Sequence, residues 1–370
     1  MKIIAQIARI LVGLEFIFSG FVKVVDPYGT GIKLQEYFEV FAQDMPSMAH
    51  FFEFFAQHSQ TLSLVFCATE LILGVALLVG FRVRFTAWIV LGLMTFFTFL
   101  TFYSAYFNKV TDCGCFGDFL HLKPWHSFLK DVISMVVILI IFIYRSWFKP
   151  IPFAGILVSV ATIIAFGIGI YGLRYLPIID FLPYAVGKSI PDQMKPTGIK
   201  PEFEYTFLDK KANKEIVAKE FLMDTTAYKY VSSIVLNEDL VKPKITDYSV
   251  SDKDGNTITD STFMGAKLFI IFKKIEHLEP SQVKALAALG KDLNGSNITP
   301  MLLTSGVKDD FVAFTQANGF TTPSYFIDEK VLKTMARTNP CVILLENGVV
   351  KAKWGAYAIP SKEEVLSKLK

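Results

Sequence analysis

Before residue 180 the chain carries five apolar runs, at roughly 3–24, 61–81, 85–106, 127–147 and 153–175. Each is long enough to cross about 30 Å of hydrocarbon as a helix. In hydrocarbon every backbone N–H and C=O must find its partner inside the protein, so this half is confined to a helical bundle. After residue 180 the chain turns charged and punctuated, as a water-exposed domain is. The formal charge of +3 is small and its basic residues are scattered, so nothing points to nucleic acid.

The first run has Glu15 in its middle and no small-residue cleavage site after it, which reads as an uncleaved span rather than a signal peptide. Arg82 and Arg84 form one tight connection, Arg145 and Lys149 flank another, and the N-terminus brings Lys2 and Arg9. The positive-inside bias puts these in the cytoplasm. Five spans then leave residues 25–60, 107–126 and everything after about 176 outside. In a bacterium this is a cytoplasmic-membrane protein with a periplasmic C-terminal domain. Cys113, Cys115 and Cys341 fall in that oxidising space, with Cys67 about two turns below its surface.

Segment 25–60 is amphipathic: Leu34, Tyr37, Phe38 and Phe41, then Phe51, Phe52, Phe54 and Phe55, recur at helical spacing. Two short helices on the membrane surface are expected. Pro124 and Trp125 mark the outer mouth of the fourth span. Residues 176–200 hold four prolines at intervals and read as an extended spacer. Beyond it strands and helices alternate. A hairpin turn is expected at 251–257, strands at 267–272, 299–304 and 325–327, helices near 280–292, 308–318 and 329–337, paired strands at 341–346 and 349–354, and a final helix at 361–369.

Two families share these residues. Ser19-Gly20-Phe21-Val22-Lys23, Asp26-Pro27, Glu70 with Gly74 and Gly80, and Asp112–Asp118 before Lys123-Pro124-Trp125 resemble DoxX/MauE-like membrane proteins. The Asp254-Gly255 turn leading into Gly265–Phe272, with Asn339-Pro340 before the paired strands, resembles a thioredoxin-like domain of the TlpA and peroxiredoxin type. The fused order, with its Asp180–Pro191 junction, is similar to a Bacteroidota membrane-protein arrangement. The resemblance implies a bundle of four DoxX-like helices over 1–150. A fifth, tethering helix and linker would occupy 151–198, and a soluble α/β thioredoxin-like domain 199–370. It also implies a cis bond at Pro340. Such domains place Cys-x-x-Cys directly after the first core strand. Here that stretch reads Phe272-Lys273-Lys274-Ile275-Glu276-His277-Leu278, without a cysteine. The lone Cys341 does not replace that nucleophile.

Chemistry therefore concentrates in Asp112-Cys113-Gly114-Cys115-Phe116-Gly117-Asp118. A Cys-Gly-Cys pair can close a small strained disulfide, more oxidising than a structural one. The MauE resemblance, a family tied to disulfide formation or electron delivery, implies the same. Cys113, Cys115, His121 and His126 could instead be soft metal ligands, although their spacing fits no standard zinc or copper pattern. A purely structural pair is the third reading. Glu15 and Glu70 lie at mid-span, where a carboxylate is costly unless it is protonated, hydrogen-bonded or facing a cavity. They could share a proton, line a path for a quinone ring, or hold two helices together. Lys23 is expected to snorkel or to pair with Asp26 or Asp112. Cys67 is a resolving thiol or a packing residue. Thiol-linked electron transfer to a membrane carrier is one function these residues allow. The other is a scaffold whose redox-dead domain docks an extracytoplasmic protein. The sequence leaves open whether the chain is an enzyme.

Overall fold

A computed structural model describes residues 2–110, 114, 116, 117, 119, 120, 122–276 and 278–369, without the side chains of residues 238 and 239. Among these residues, five helices are long and apolar enough to cross a membrane: α1 (Lys2–Val25), α4 (Ser59–Val79), α5 (Val83–Phe107), α6 (Pro124–Ile143) and α7 (Ala154–Arg174). Between α1 and α4 run α2 (Pro27–Asp44) and α3 (Ala49–Gln57). α2 starts where it does because the Asp26 side chain accepts from Gly29 N at 3.3 Å and Pro27 fills the first helical turn. Ile3, Ile7, Leu11, Leu14 and Phe18 face outward along α1, as a lipid-facing stripe requires. The chain is a membrane protein.

α1 and α4 pack closely through small residues. A Cβ on Gly20 would lie 2.5 Å from the Leu71 nitrogen, and one on Gly74 would lie 2.7 Å from the Ile17 nitrogen. This is the close approach that glycine permits between membrane helices. α7 lies along α4 and α1, with Gly172 facing the Val25 carbonyl, so it packs against the bundle rather than standing free.

The C-terminal half opens with α8 (Ile190–Met194) and a three-stranded antiparallel sheet, order β2-β1-β3, of β1 (Phe203–Asp209), β2 (Lys214–Ala218) and β3 (Tyr228–Val235). The sequence pattern does not separate this sheet from the main one. After α9 (Glu238–Val241) come β4 (Val250–Ser251), β5 (Ala266–Phe272), α10 (Pro280–Asp292), β6 (Ile298–Thr304), α11 (Lys308–Ala317) and β7 (Ser324–Ile327). α12 (Glu329–Met335), β8 (Cys341–Glu346), β9 (Val349–Trp354) and α13 (Lys362–Ser367) complete the chain. Their six-stranded sheet runs β4-β7-β6-β5-β8-β9. β5 and β6 are parallel across α10, β8 and β9 are an antiparallel hairpin beside β5, and the Asn339–Pro340 bond before β8 is cis. This βαβ unit joined to a ββα unit is the thioredoxin-like order. β5 is buried on both faces: Leu268, Ile270 and Phe272 join one core cluster, Phe269 and Ile271 the other.

The proline-rich spacer is not a free linker. Gly187 N donates to Val350 O at 2.8 Å and Ile190 N to Gly348 O at 2.9 Å, so residues 187–190 line the open edge of β9. Tyr184 and Ile190 are buried in the core of the soluble domain.

Candidate functional site

α1 brings Glu15, Ser19 and Lys23 to one face, α4 brings Glu70, α5 brings Thr101, and α6 brings Lys130, Asp131 and Ser134. Most of these line a cavity of about 50 Å³ within the bundle, closed above by Lys33 of α2 and by Gly114. An apolar cavity of about 150 Å³ holds one benzene ring, and a water needs roughly 10–15 Å³. The cavity therefore has room for a few waters.

Its charges are paired. Lys23 and Glu70, each 5% exposed, form an ion pair inside the bundle. Lys23 thus neither snorkels nor pairs with Asp26, because its carboxylate partner on α4 lies one packed helix away. The Lys23 ammonium also sits 4.9 Å from the Phe97 ring centre. On the opposite wall, Lys130 Nζ lies 2.7 Å from Asp131 and 3.4 Å from Glu15. Ser134 Oγ donates to Glu15 at 2.9 Å, and Thr101 Oγ1 to Asp131 at 2.8 Å. Glu15 and Glu70 share the cavity but each is held by a different lysine.

Gly114, the residue between the two cysteines, has φ +63°, and a Cβ there would lie 3.2 Å from Lys33 Cγ. Gly117 has φ +54°, and a Cβ there would lie 3.7 Å from Lys23 Cγ and from Val22 Cγ1. Gly114 and Gly117 therefore lie on the lysine side of the cavity. Cys113, Cys115, Asp112, Asp118 and His121 lie outside the described residues. His126, the remaining residue of the metal alternative, is exposed near the start of α6. Among the described residues no cluster of three His, Cys, Asp or Glu side chains could hold a metal. Cys67 is buried in α4, with its sulfur 3.8 Å from Ser63 Oγ.

A second feature joins the two halves. Arg337, 3% exposed, donates from Nε to Asp26 Oδ2 at 2.7 Å. Lys273, the first residue after β5, places its ammonium 3.7 Å from the Tyr28 ring centre and donates to Ala336 O at 3.0 Å. Burial holds the Lys273 ammonium well below the usual lysine range. Burial also raises the Tyr28 phenol to about 12, opposed by the nearby Arg337. The place where a thioredoxin nucleophile would stand is thus occupied by a lysine docked on α2. Cys341, beside cis-Pro340, is buried with its thiol pushed up by that burial.

Residues 1–145 match the family model described as methylamine utilisation protein MauE. The membrane part is MauE-like. The match ends just past α6 and leaves α7 and the soluble domain outside it. No curated protein matches the chain. Among solved structures, a putative protein disulfide isomerase from Bacteroides thetaiotaomicron aligns at 14% identity, over 33% of this chain and 80% of its own, with a TM-score of 0.27. A thioredoxin-like protein from Aeropyrum pernix aligns at 13% identity, over 33% and 88%, with a TM-score of 0.28. A secreted thiol-disulfide isomerase from Corynebacterium glutamicum aligns at 17% identity, over 33% and 81%, also with a TM-score of 0.28. The thioredoxin-like assignment rests on the strand order described above. A MauE-like membrane part and a thioredoxin-like domain are thus fused in one chain.

Sequence reasoning overlooked Lys33, Lys130, Asp131, Tyr28, Lys273 and Arg337. Lys130-Asp131, two adjacent charges inside an apolar run, was a readable signal. The others acquire meaning only through partners distant in sequence.

Proposed function

We propose that this chain is a membrane thiol–disulfide electron-transfer protein in which Cys113 and Cys115 are the exchanging pair. A client thiolate attacks one sulfur of the Cys113–Cys115 disulfide and releases the other as a thiolate. The client's second thiolate then resolves the mixed disulfide, leaving the client oxidised and the loop as a dithiol. Reoxidation sends two electrons to a carrier in the membrane and releases two protons. The carboxylates Glu15, Glu70 and Asp131 give those protons acceptors within the cavity, each held in place by Lys23 or Lys130. The supporting observation is the charged cavity closed by Gly114. Four helices of the MauE-like part carry this site; α7 serves as the tether.

The reading also requires the loop to face an oxidising space, with Arg82 and Arg84 on the cytoplasmic side. Impermeant maleimide should label Asp254→Cys and not Arg84→Cys in intact cells, both positions being exposed. Thiol trapping on membranes should show Cys113 and Cys115 shifting together from oxidised to reduced when a quinone analogue blocks reoxidation. Two free thiols, inert to oxidant and unchanged by the analogue, would remove the proposal. The scaffold reading keeps one observation in its favour: the vacated nucleophile site is docked on Tyr28 of its own chain through Lys273. In both readings the soluble domain has no dithiol chemistry of its own.

A further inference from the structure

Phe116 lies where α1 meets α6. Its ring centre is 5.3 Å from the Lys130 ammonium of α6 and 6.0 Å from the ring of Phe18, which belongs to the outward stripe of α1. Behind it Lys130 reaches Glu15 of α1 at 3.4 Å, and Ser134 donates to the same carboxylate at 2.9 Å. Phe116 therefore stands between the lipid side of α1 and the Glu15–Lys130 end of the cavity. Phe119 meets Phe18 edge to face with ring centres 5.6 Å apart, and meets Phe181 in the same way at 5.2 Å. Next to Phe181 in the junction, Asp180 is fixed to the soluble domain by the buried Lys353 of β9, 2.8 Å away. One row of contacts thus runs from β9 to an ion pair inside the bundle.

We propose that the junction is a latch: through Phe181 the soluble domain holds residues 116–120 closed over the seam between α1 and α6, and its release admits water to the cavity. The latch goes beyond thiol exchange and holds whether or not the cysteines react. Two observations carry it. The first is how the segment is held. Phe119 N donates to Phe116 O at 3.2 Å, Gly117 N donates to Gly114 O at 3.0 Å, and Phe116 bridges to Leu120, so these backbone bonds stay inside the loop. Rings attach the segment to α1, and rings can part without breaking a backbone ladder. The second is what lies beneath. Glu15, Lys130 and Asp131 face a cavity with room for only a few waters, and charges gain solvation when water enters. Closure thus costs these charges hydration, and the aromatic contacts offset that cost. An element balanced in this way responds to anything that binds one position of the soluble domain better than another.

The test uses the full chain in lipid nanodiscs with Leu100→Cys as reporter, Leu100 being a buried apolar residue of the cavity wall. Two rates are read: amide exchange of the peptide carrying residues 116–120, and modification of residue 100 by methanethiosulfonate ethylammonium, followed by peptide mass. Phe181→Ala should raise both about three- to tenfold, as loss of one aromatic pair allows, with amide exchange in β5 unchanged. Phe119→Ala should do the same, and the double variant should match the larger single effect, because both changes break one row of contacts. Lys353→Met, which takes away the partner of Asp180, should move both rates in the same direction. An unchanged rate at residue 100 in Phe181→Ala would overturn the latch. So would a double variant whose effects multiply, since the rings would then act separately. A Lys353→Met protein that matches its parent would overturn it too, by disconnecting the soluble domain from the seam. If Phe181→Ala also quickens exchange in β5, Phe181→Leu is judged by the same outcomes, since it removes the ring and keeps an apolar side chain.

Discussion

Lys33 puts a cation on α2 with its stem against the residue between two cysteines. A neighbouring positive charge favours the thiolate, which is the form that attacks. Lys33→Met should slow alkylation of the reduced loop at neutral pH by about threefold or more, and Lys33→Arg should restore it. A rate unchanged by Lys33→Met would remove Lys33 from the chemistry. Lys273 carries a different consequence. Its ammonium is disfavoured by burial, so the folded protein binds its proton less readily than the unfolded chain does. Between the lowered folded value and the ordinary lysine value of 10.5, the unfolded state holds more protons, and stability rises with pH. Thermal unfolding of the full chain should show that rise, and Lys273→Met should flatten it. A slope that survives in Lys273→Met would assign it to another group.

At the scale of elements, the bundle depends on how near α1 comes to α4. A side chain at Gly20 would meet the backbone of Leu71, which cannot swing aside as a side-chain tip can. Gly20→Val should therefore lower the thermal midpoint of the detergent-solubilised protein and separate Lys23 from Glu70. Gly92→Val on α5, where no atom lies within 4 Å, should leave the midpoint nearly unchanged. Equal effects at the two positions would show that helix propensity, not contact, sets the loss. The elements themselves were legible: the observed spans and the main sheet strands lie within a few residues of the expected ones, because their periods of apolar residues are local. The three-stranded sheet over 203–235 was not, since its strands are largely exposed and carry little alternation.

For the whole molecule, the junction decides what can fold alone. Asp180 pairs with Lys353 at 2.8 Å, and Tyr184 and Ile190 fill the soluble core, so a fragment cut at residue 198 loses both. A fragment from residue 180 should unfold cooperatively at a clearly higher temperature than one from residue 198. Equal midpoints would return residues 180–197 to the role of spacer. Undocking is a separate event: Arg337→Ala should expose the junction to protease without lowering the midpoint of the 180–370 fragment, because Arg337 finds Asp26 only in the full chain.

The sequence alone determined that the first half is a helical membrane bundle, since runs of that length have no other way to satisfy their backbone in hydrocarbon. It also determined that the soluble domain lacks the family's nucleophile, since a missing cysteine can be read directly. It marked Glu15 and Glu70 as costly residues but not who pays their solvation. Tertiary structure decided that: Lys23 answers Glu70 from α1, Lys130 answers Glu15 and Asp131 from α6, and Lys33 reaches Gly114 from α2. It also decided that Lys273 and Arg337 dock on Asp26 and Tyr28, more than 240 residues away in sequence. Local periodicity reports which face of a helix is apolar, whereas pairing of charges depends on which faces meet, and only the packed chain fixes that.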